Sequence, residues 1–404
     1  MSLSEELTWR GFVNQTTIKD LTDLDTKQFT FYWGVDPSAD SMHIGQLAMT
    51  LMIRHFINHG HKAILLVGGA TGMIGDPDGR MDERDLKTVE EVQHNKDGIN
   101  RQYKTLFAGM PFELVDNYDW FKNIGYLDFL RDIGKHFSMT QLLDRDFVQK
   151  RIGQGGDGIS YAEFSYSLIQ GYDFLHLYRK HGATLQIAGA DQWGNSLSGV
   201  DLIRKLENAE AHVWTAPLIM NKATGKKFGK SQDGAVWLDE AKTSVFKFYQ
   251  FWLNVDDAGV VEYLKLYTLL LVDEITAIEL KIKENPQARE AQNVLAYEVT
   301  TLVHGEKRTQ SVAKVTEVLF GSNDVAALDR HDLDELAREI PTSPRGKSLI
   351  DSMVATGLAS SNGEAKRLIA SNAVSVNGTK AIDDSILSQV SLIKKGKNSF
   401  ALVR

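Results

Sequence analysis

The strongest constraint on the fold is an almost continuous apolar segment from Lys62 to Gly68. Such a segment is typical of a parallel strand with both faces buried. Phe29 to Val35 predicts an earlier strand, because it is rich in β-branched and aromatic residues. Between them, Ser41 to about Gly60 has the apolar spacing of a helix. Strand, helix and strand in this order predict a βαβ unit and an α/β open sheet.

The α/β pattern extends to about residue 220 and then changes. Further strands are predicted from Thr184 to Ala188 and from Val213 to Ile219, whereas the chain after about Phe246 is almost wholly helical. Two prolines make Pro341 to Gly346 a predicted linker, and a short α-then-β segment follows it. With 404 residues the chain is too long for one ordinary core, so we expect two or three domains.

Composition excludes several classes of protein. The contents of 43% hydrophobic and 24% charged residues are those of a globular chain. The acidic segment from Met1 to Glu6 does not resemble a secretory signal, and no apolar run approaches the roughly 20 residues of a membrane span. The absence of cysteine excludes disulfides and thiolate metal sites. We expect a cytoplasmic protein with no membrane partner.

Charge is distributed unevenly along the chain. The net charge of −8 argues by itself against nucleic-acid binding. Residues Arg345 to Arg404, however, include nine basic and four acidic side chains, a net charge of +5. A basic terminal segment favours nucleic-acid binding, although a solvated basic surface is at least as common.

The segment from Asp36 to Gln46 joins the first strand to the start of the following helix. At such a point free backbone N–H groups and the positive end of the helix dipole favour phosphate. His43 in the first turn can donate to the same anion, and Gly45 allows a flat group to approach the backbone. An exposed histidine without a role is the simpler interpretation of an isolated His-x-Gly motif.

A glycine-rich segment, Gly68 to Pro77, follows the apolar strand. It lacks the Lys-Ser/Thr pair of a Walker loop, so alone it indicates only tight turns and close backbone approach. Asp76 and the downstream pair Arg80 and Arg84 are suggestive but nonspecific.

The segment from Thr224 to Ser231 nearly matches a Walker loop, but Thr224 stands where the first glycine is required. A loop that carries Lys227 and Lys230 to a polyphosphate fits its position after the α/β region better. A solvated basic turn is the alternative interpretation.

Tyr166, Gln170 and Asp173 share one face of a predicted helix, because they are spaced at i, i+4 and i+7. Burying them is costly unless they bind each other or a ligand. An internal polar network and a binding site are therefore both open. Gly189, Asp191 and Gln192 add polar groups at the end of another predicted strand.

The order and spacing of these motifs resemble those of a bacterial-type tyrosyl-tRNA synthetase of class I. The matching segments, in chain order, are Asp36–Gly45, Gly68–Pro77, Tyr166–Asp173, Gly189–Asn195 and Lys227–Ser231. Ser361–Ile369 and Val374–Gly378 are similar to an S4-type RNA-binding domain. The resemblance covers essentially the whole chain. It implies a Rossmann-like parallel-sheet catalytic domain in 1–222, a helical anticodon-side domain with the lysine-bearing loop in 223–340, and a small α+β S4-like domain in 341–404.

The resemblance also assigns site residues. Those for L-tyrosine would be Tyr32 and Asp173 at the phenol, and Tyr166, Gln170, Asp76 and Gln192 near the amino acid. Those that position the adenosine of ATP would be Gly34, Asp36, Gly189 and Asp191, with Gly45 close to ATP. Those that stabilise the reacting triphosphate would be His43, Gln46, Lys227, Lys230 and Ser231. Arg80 and Arg84 would act on pyrophosphate or on the acceptor end of tRNA.

The implied activity is that of a tyrosine–tRNA ligase acting as a homodimer on tRNA(Tyr). The tyrosine carboxylate is already ionised, so its attack on the α-phosphorus of ATP needs positioning and charge stabilisation and no strong base. Mg²⁺ would arrive with ATP, and no protein-bound metal is expected.

The chain departs from the family pattern at three places. Gln46 stands where a second histidine is usual, Trp33 stands where cysteine is common, and Ala188 and Ala190 flank Gly189. Two other functions therefore stay open: an inactive relative retained for RNA binding, and another nucleotidylyltransferase with the His-x-Gly motif. The second of these would not need the pair Tyr32 and Asp173.

Overall fold

The computed structural model describes residues 1–77, 86–153, 158–226, 228, 230–231, 234–321 and 323–404. Within them the chain divides into two compact units. The first comprises Met1–Thr243 and Val255–Leu295, and the second comprises Ser244–Asn254 and Ala296–Arg404. Each unit contains its own main β-sheet.

The sheet of the first unit has six strands in the order β1-β6-β5-β2-β3-β4. These strands are β1 Gln15–Thr16, β2 Thr30–Val35, β3 Lys62–Val67, β4 Phe112–Asp116, β5 Leu185–Gly189 and β6 His212–Ala216. All neighbours are parallel except β1, which is antiparallel to β6. The predicted α/β parallel sheet is therefore confirmed. Because β3 and β5 lie on opposite sides of β2, the strand order reverses at β2, where such sheets bind ligands.

Helices cover the faces of this sheet and form most of the second unit. In chain order the helices of the described residues are α1 Leu3–Arg10, α2 Asp23–Thr26, α3 Ile44–Asn58, α4 Thr71–Ile74, α5 Val89–Leu106, α6 Tyr118–Phe121, α7 Tyr126–Asp132, α8 Met139–Leu143, α9 Asp146–Ile152, α10 Tyr161–His181, α11 Trp193–Glu207, α12 Val245–Leu253, α13 Val260–Tyr267, α14 Val272–Glu284, α15 Glu290–His304, α16 Glu306–Phe320, α17 Arg330–Glu339, α18 Leu349–Ala355 and α19 Asn362–Ala370. Among the described residues, none of these helices combines the length and the apolar character needed to cross a membrane.

The longest helix, α10, carries the polar face predicted from sequence and has clear ends. Ser160 begins it, because its Oγ accepts a hydrogen bond of 3.2 Å from the N–H of Glu163. Gly182 ends it in the left-handed conformation with φ 70°, which glycine adopts without strain. Leu175, on the side of α10 opposite Tyr166, packs in a buried cluster, and the side that carries Tyr166, Gln170 and Asp173 lines a cavity.

A two-stranded hairpin follows the first sheet in sequence, with β7 Lys230–Ser231 antiparallel to β8 Gly234–Ala235. The second unit has a five-stranded sheet in the order β11-β10-β12-β13-β9. Its strands are β9 Thr342–Ser343, β10 Val374–Val376, β11 Thr379–Lys380, β12 Ser391–Lys395 and β13 Ser399–Val403.

The prediction that Pro341 to Gly346 is a linker was wrong. Thr342 and Ser343 form β9, which pairs in parallel with β13 at the edge of the sheet. The N–H of Leu402 donates to Pro341 O at 2.9 Å. A proline at the edge of a sheet can accept such a bond although it cannot donate one. The composition that indicated a linker is therefore that of a short edge strand.

The small sheet shares its core with the preceding helices of the second unit. Leu392, Phe400 and Leu402 pack in one buried cluster with residues of α16 and α17, including Val315 and Leu336. A second buried cluster, around Leu349, Ile369 and Ile393, lies within the segment after residue 341. Residues 341–404 thus have a core of their own and also cover an apolar face of the helices.

Candidate active site

A cavity of about 300 Å³ opens at the carboxyl ends of β2 and β5 in the first unit. Most of the predicted site residues line it: Tyr32, Gly34, Asp36, His43, Gly45, Gln46, Asp76, Tyr166, Gln170, Asp173, Gly189, Asp191 and Gln192. Arg80, Arg84 and Lys227 lie outside the described residues, and Lys230 and Ser231 are described only as strand β7. Residues of four separate motifs are thus brought together by the fold of one unit.

One part of the cavity contains a buried tyrosine–aspartate pair, Tyr32 and Asp173, each 2% exposed. Among the described residues the Tyr32 hydroxyl has no hydrogen-bond partner. Burial and the nearby Asp173 raise the pKa of Tyr32 well above its usual value, so the hydroxyl stays neutral. Burial also raises the pKa of Asp173, and hydrogen bonds to its two oxygens oppose that rise.

Asn117 and Trp120 donate those hydrogen bonds. Asn117 Nδ2 lies 3.1 Å from Asp173 Oδ2, and Trp120 Nε1 lies 2.9 Å from Asp173 Oδ1. Sequence reasoning missed both residues. Asn117 directly follows β4, so the signal that could have found it is the one used for the other motifs, a polar segment after a parallel strand. His176 stacks on Trp120 with ring centroids 4.4 Å apart.

The glycine-rich loop after β3 is fixed by polar side chains at the end of β4. The N–H of Gly69 donates to Asp116 Oδ1 at 3.1 Å, and the N–H of Ala70 donates to Asn117 Oδ1 at 2.6 Å. A Cβ at Gly69 would lie 2.3 Å from Asp116 Oδ1, so a larger residue would displace this contact. The glycine is needed for close approach, as predicted for this loop.

Asp36 has both carboxylate oxygens occupied by neighbouring hydroxyl groups. Thr71 Oγ1 donates to Asp36 Oδ1 at 2.6 Å, and the Tyr166 hydroxyl donates to Asp36 Oδ2 at 2.7 Å. Burial and the nearby carboxylates of Asp36 and Asp76 raise the pKa of Tyr166. The polar face of α10 is therefore partly an internal network. Gln170 Oε1 differs, because it is buried without a partner among the described residues.

Asp76 and Gln192 also contact each other across the cavity. Gln192 Nε2 donates to Asp76 Oδ2, and Gln192 Oε1 accepts from Asn195 Nδ2 at 3.2 Å. Arg145 extends the chain of contacts by donating to Asn195 Oδ1 at 3.1 Å. These contacts fix the orientation of the Gln192 amide.

His43 caps the N-terminus of α3 and has a defined tautomer. The N–H of Gly45 donates to His43 Nδ1 at 2.9 Å, so a neutral His43 carries its proton on Nε2. Gln46 Oε1 accepts from the N–H of His43 at 2.9 Å, which completes a capping box. With its oxygen held in this way, the Gln46 amide presents N–H donors. A Cβ at Gly45 would lie 2.7 Å from His43 Cε1, so glycine here also makes room for the imidazole.

The expectation of free backbone N–H groups at the start of α3 was wrong. The N–H of Ile44 donates to Val236 O at 3.0 Å, and the N–H of Gln46 donates to His43 O at 2.9 Å. Those of His43 and Gly45 are used in the cap. The protein itself therefore satisfies all four, and any phosphate held here must be met by side chains.

The lysine-bearing loop contributes Phe228 to the cavity wall. Phe228 is 7% exposed and stacks on Tyr263 of α13 with ring centroids 4.2 Å apart. The departure at Trp33 is also accommodated, since its ring packs edge-on against Tyr103 at 5.5 Å. Among the described residues, no group of three or more histidine, aspartate or glutamate side chains could hold a metal ion.

Comparison with known proteins agrees with this arrangement. Residues 24–321 match the family model of the class I tRNA synthetases (W and Y), and residues 332–403 match that of the tyrosine–tRNA ligase SYY-like C-terminal domain. A tyrosine–tRNA ligase 2 of Bacillus cereus is 44% identical over the full length of both chains. A tyrosine–tRNA ligase of Escherichia coli is 43% identical, covering 100% of this chain and 98% of its own.

Solved structures show the same relationship. A C-terminally truncated mitochondrial tyrosyl-tRNA synthetase of Aspergillus nidulans matches with a TM-score of 0.71 and 31% identity, over 79% of this chain and 94% of its own. A tryptophanyl-tRNA synthetase of Encephalitozoon cuniculi has a TM-score of 0.56 at 15% identity, over 83% of this chain and 92% of its own, and shares the fold. With these matches and a buried tyrosine–aspartate pair in its cavity, the chain belongs to the class I tyrosyl-tRNA synthetases.

Proposed function

We propose that this protein activates L-tyrosine with ATP and transfers it to tRNA(Tyr), the reaction of a tyrosine–tRNA ligase. In the first step the tyrosine carboxylate attacks the α-phosphorus of ATP, a new O–P bond forms, and pyrophosphate leaves. In the second step a hydroxyl of the terminal ribose of tRNA displaces AMP from the tyrosyl carbonyl. The observation that carries the proposal is the buried pair Tyr32 and Asp173 in the cavity that His43 also lines.

The phenol of the substrate binds between Tyr32 and Asp173. Among the described residues the Tyr32 hydroxyl is buried without a partner, and a buried polar group in this state is costly unless a ligand completes it. Asp173 is oriented by Asn117 and Trp120, which hold both its oxygens. Phenylalanine would leave the Tyr32 hydroxyl without a partner and would offer no hydroxyl to Asp173, which is the physical basis of selectivity for tyrosine.

The ammonium group of tyrosine binds to Asp76, Gln170 and Tyr166. Gln170 Oε1 is a buried acceptor, and Asp76 supplies negative charge beside it in the same cavity. Gln192 lies next to the amino acid, where its contact with Asp76 sets its orientation. The hydrogen bond from Tyr166 to Asp36 supports a position for Tyr166 between the proposed tyrosine and adenosine subsites.

ATP occupies the remainder of the cavity. Asp36, Gly34, Gly189 and Asp191 position the adenosine, and Gly45 lies close to the nucleotide.

The triphosphate is met by side-chain donors, namely His43 through Nε2–H, Gln46 through its amide, and Lys227, Lys230 and Ser231 of the loop. Arg80 and Arg84 act on pyrophosphate or on the acceptor end of tRNA. Mg²⁺ enters with ATP, bound by phosphate oxygens, and supplies further charge stabilisation when it is present.

We propose a cytoplasmic protein of three domains. Residues 1–222 carry catalysis, residues 223–340 form the helical anticodon-side domain, and residues 341–404 bind RNA. The net charge of +5 over residues 345–404 supports contact with tRNA through the S4-like domain. We also propose a homodimer. Several exposed apolar side chains between residues 118 and 161 support it, because exposed apolar patches often mark protein–protein interfaces. Tyr126 is 63% exposed, Leu127 is 76% exposed and Tyr161 is 62% exposed.

Tyrosine-dependent exchange of pyrophosphate into ATP, measured with a panel of amino acids and Mg²⁺, tests the proposal. Much faster exchange with tyrosine than with phenylalanine is the expected result, and the absence of exchange with every amino acid would refute catalytic activity. The matched variant Gln46→His separates an active enzyme from an inactive relative. Activity in Gln46→His alone would mean that the natural chain is retained for RNA binding.

A further inference from the structure

The start of α3 is joined to the segment that directly follows the β7–β8 hairpin. The N–H of Ile44 donates to Val236 O at 3.0 Å, and the N–H of Leu238 donates to Met42 O at 2.9 Å. Together they form an isolated antiparallel bridge in which His43 is the partner of Trp237. The two segments are thus fixed to each other by backbone, independently of the cavity.

Side chains reinforce this bridge around Trp237. Its ring centroid lies 6.1 Å from that of His43 with an angle of 68° between the planes. Lys242 Nζ lies 5.4 Å from the Trp237 ring centroid and 2.7 Å from Asp40 Oδ1. The Trp237 N–H donates to Thr243 Oγ1 at 3.0 Å. Trp237 is therefore held between His43, the lysine–aspartate pair and its own chain.

The His43 ring needs such support to keep one orientation. Its contact with the N–H of Gly45 fixes Nδ1 but does not by itself prevent the ring from tilting about that contact. A tilted or edge-to-face aromatic contact restrains the ring plane. The donor that His43 offers to phosphate is Nε2–H, on the far side of the ring from Nδ1, where a small tilt moves it furthest.

We propose that Trp237 is a positioning residue for His43, and that it couples His43 to the hairpin strand β8 that ends two residues before it. The proposal rests on the proposed function, because it concerns how His43 is presented to the triphosphate. Trp237 does not act on the substrate itself. It fixes the ring whose Nε2–H stabilises the reacting phosphate. It also holds the start of α3 against the segment that follows the β7–β8 hairpin.

The experiment is a double-mutant cycle in tyrosine-dependent pyrophosphate exchange, with Trp237→Ala, His43→Asn and the double variant. Trp237→Ala is expected to lower kcat by roughly 2- to 13-fold, the size of one aromatic contact, with the KM for tyrosine unchanged. In the His43→Asn background the same change should have no further effect on kcat, because the ring that Trp237 positions is gone. Trp237→Phe should recover most of the loss.

Trp9→Ala is the matched control. Trp9 is also half-buried beneath a lysine, with Lys265 Nζ 4.5 Å from its ring centroid, and it lies in the same unit outside the cavity. It should leave kcat unchanged. Additive losses in the cycle, or an equal fall in Trp9→Ala, would refute the positioning role while wild-type exchange stands. Absent exchange in the wild type would instead refute the proposed function, and this proposal with it.

Discussion

The hydroxyl of Tyr32 should contribute to selectivity and not to folding, so Tyr32→Phe is the sharpest test of the tyrosine subsite. In the free protein the hydroxyl is buried and, among the described residues, has no hydrogen-bond partner. Its desolvation costs about 1–3 kcal/mol that no bond offsets. We therefore expect the free energy of unfolding of Tyr32→Phe to be unchanged or higher, by up to about 3 kcal/mol.

The effect on catalysis has the opposite sign. With tyrosine bound, the Tyr32 hydroxyl forms a hydrogen bond between neutral groups, because burial keeps the pKa of Tyr32 well above its usual value. A bond of this kind contributes about 0.5–1.5 kcal/mol, or roughly 2- to 13-fold in kcat/KM. Phenylalanine forms no such bond, so its kcat/KM should not change in Tyr32→Phe. The ratio of kcat/KM for tyrosine over phenylalanine should therefore fall by the same factor.

Tyr103→Phe is the matched control in the same unit. Tyr103 is also fully buried, but its hydroxyl donates to Leu66 O at 3.3 Å. This variant should lose about 0.5–1.5 kcal/mol of unfolding free energy in urea and keep its selectivity. Pyrophosphate exchange with both amino acids and urea denaturation measure the two quantities. A Tyr32→Phe protein that is less stable than wild type but equally selective would refute the assignment of Tyr32 to the substrate phenol.

Three further predictions follow from the contacts described above. Asp173→Ala should reduce selection against phenylalanine by roughly 2- to 13-fold, since it removes one hydrogen bond to the substrate hydroxyl, worth about 0.5–1.5 kcal/mol. The KM for ATP should change by less than about twofold, and equal losses in exchange kinetics would contradict the role of Asp173. Truncation after residue 340 should spare adenylate formation and abolish tRNA charging. It should also lower the midpoint of urea denaturation, because it uncovers the apolar cluster on α16 and α17. Retained charging would exclude the removed segment as the RNA-binding element. Glu6, bonded to buried Arg10 and to His55, has a pKa lowered from 4.5 to about 2, chiefly by its bond with His55. Its ionised form therefore stabilises the fold above about pH 4.5, and that contribution is lost as the pH falls towards 2. In Glu6→Gln the midpoint of urea denaturation should depend less on pH over this range. An unaltered pH dependence would count against the lowered pKa.

Much of the fold could be predicted because local patterns and tertiary structure agree. The strand β3 was predicted from its almost continuous apolar run, and the helix α3 and the polar face of α10 were predicted from residue spacing, since burial on a sheet or a helix leaves such patterns in the sequence. The polar loops that follow β2, β3 and β5 could also be expected to lie close together, because parallel strands end at the same edge of a sheet.

The contacts that complete the site could not be predicted, because they depend on which strands are neighbours. Asn117 and Trp120 reach Asp173 only because β4 lies beside β3, and nothing in the segment after β4 fixes that pairing. The bridge between His43 and Trp237 joins residues that are 194 positions apart in the sequence. The strand β9 was missed because the two prolines that flank it, Pro341 and Pro344, dominate the local pattern, whereas the edge of a sheet can accommodate them.

The way in which α3 is capped has a consequence for how this site can evolve. A phosphate site built from backbone N–H groups is the same for every sequence that keeps the turn, so substitutions hardly alter it. In this chain the N–H groups of residues 43–46 are all used by the protein, and the proposed donors at this end are the side chains of His43 and Gln46. Each of these donors also caps α3, so a substitution at either position alters the start of the helix together with phosphate binding. The strength of phosphate binding and the stability of this helix end are therefore linked through the same two side chains.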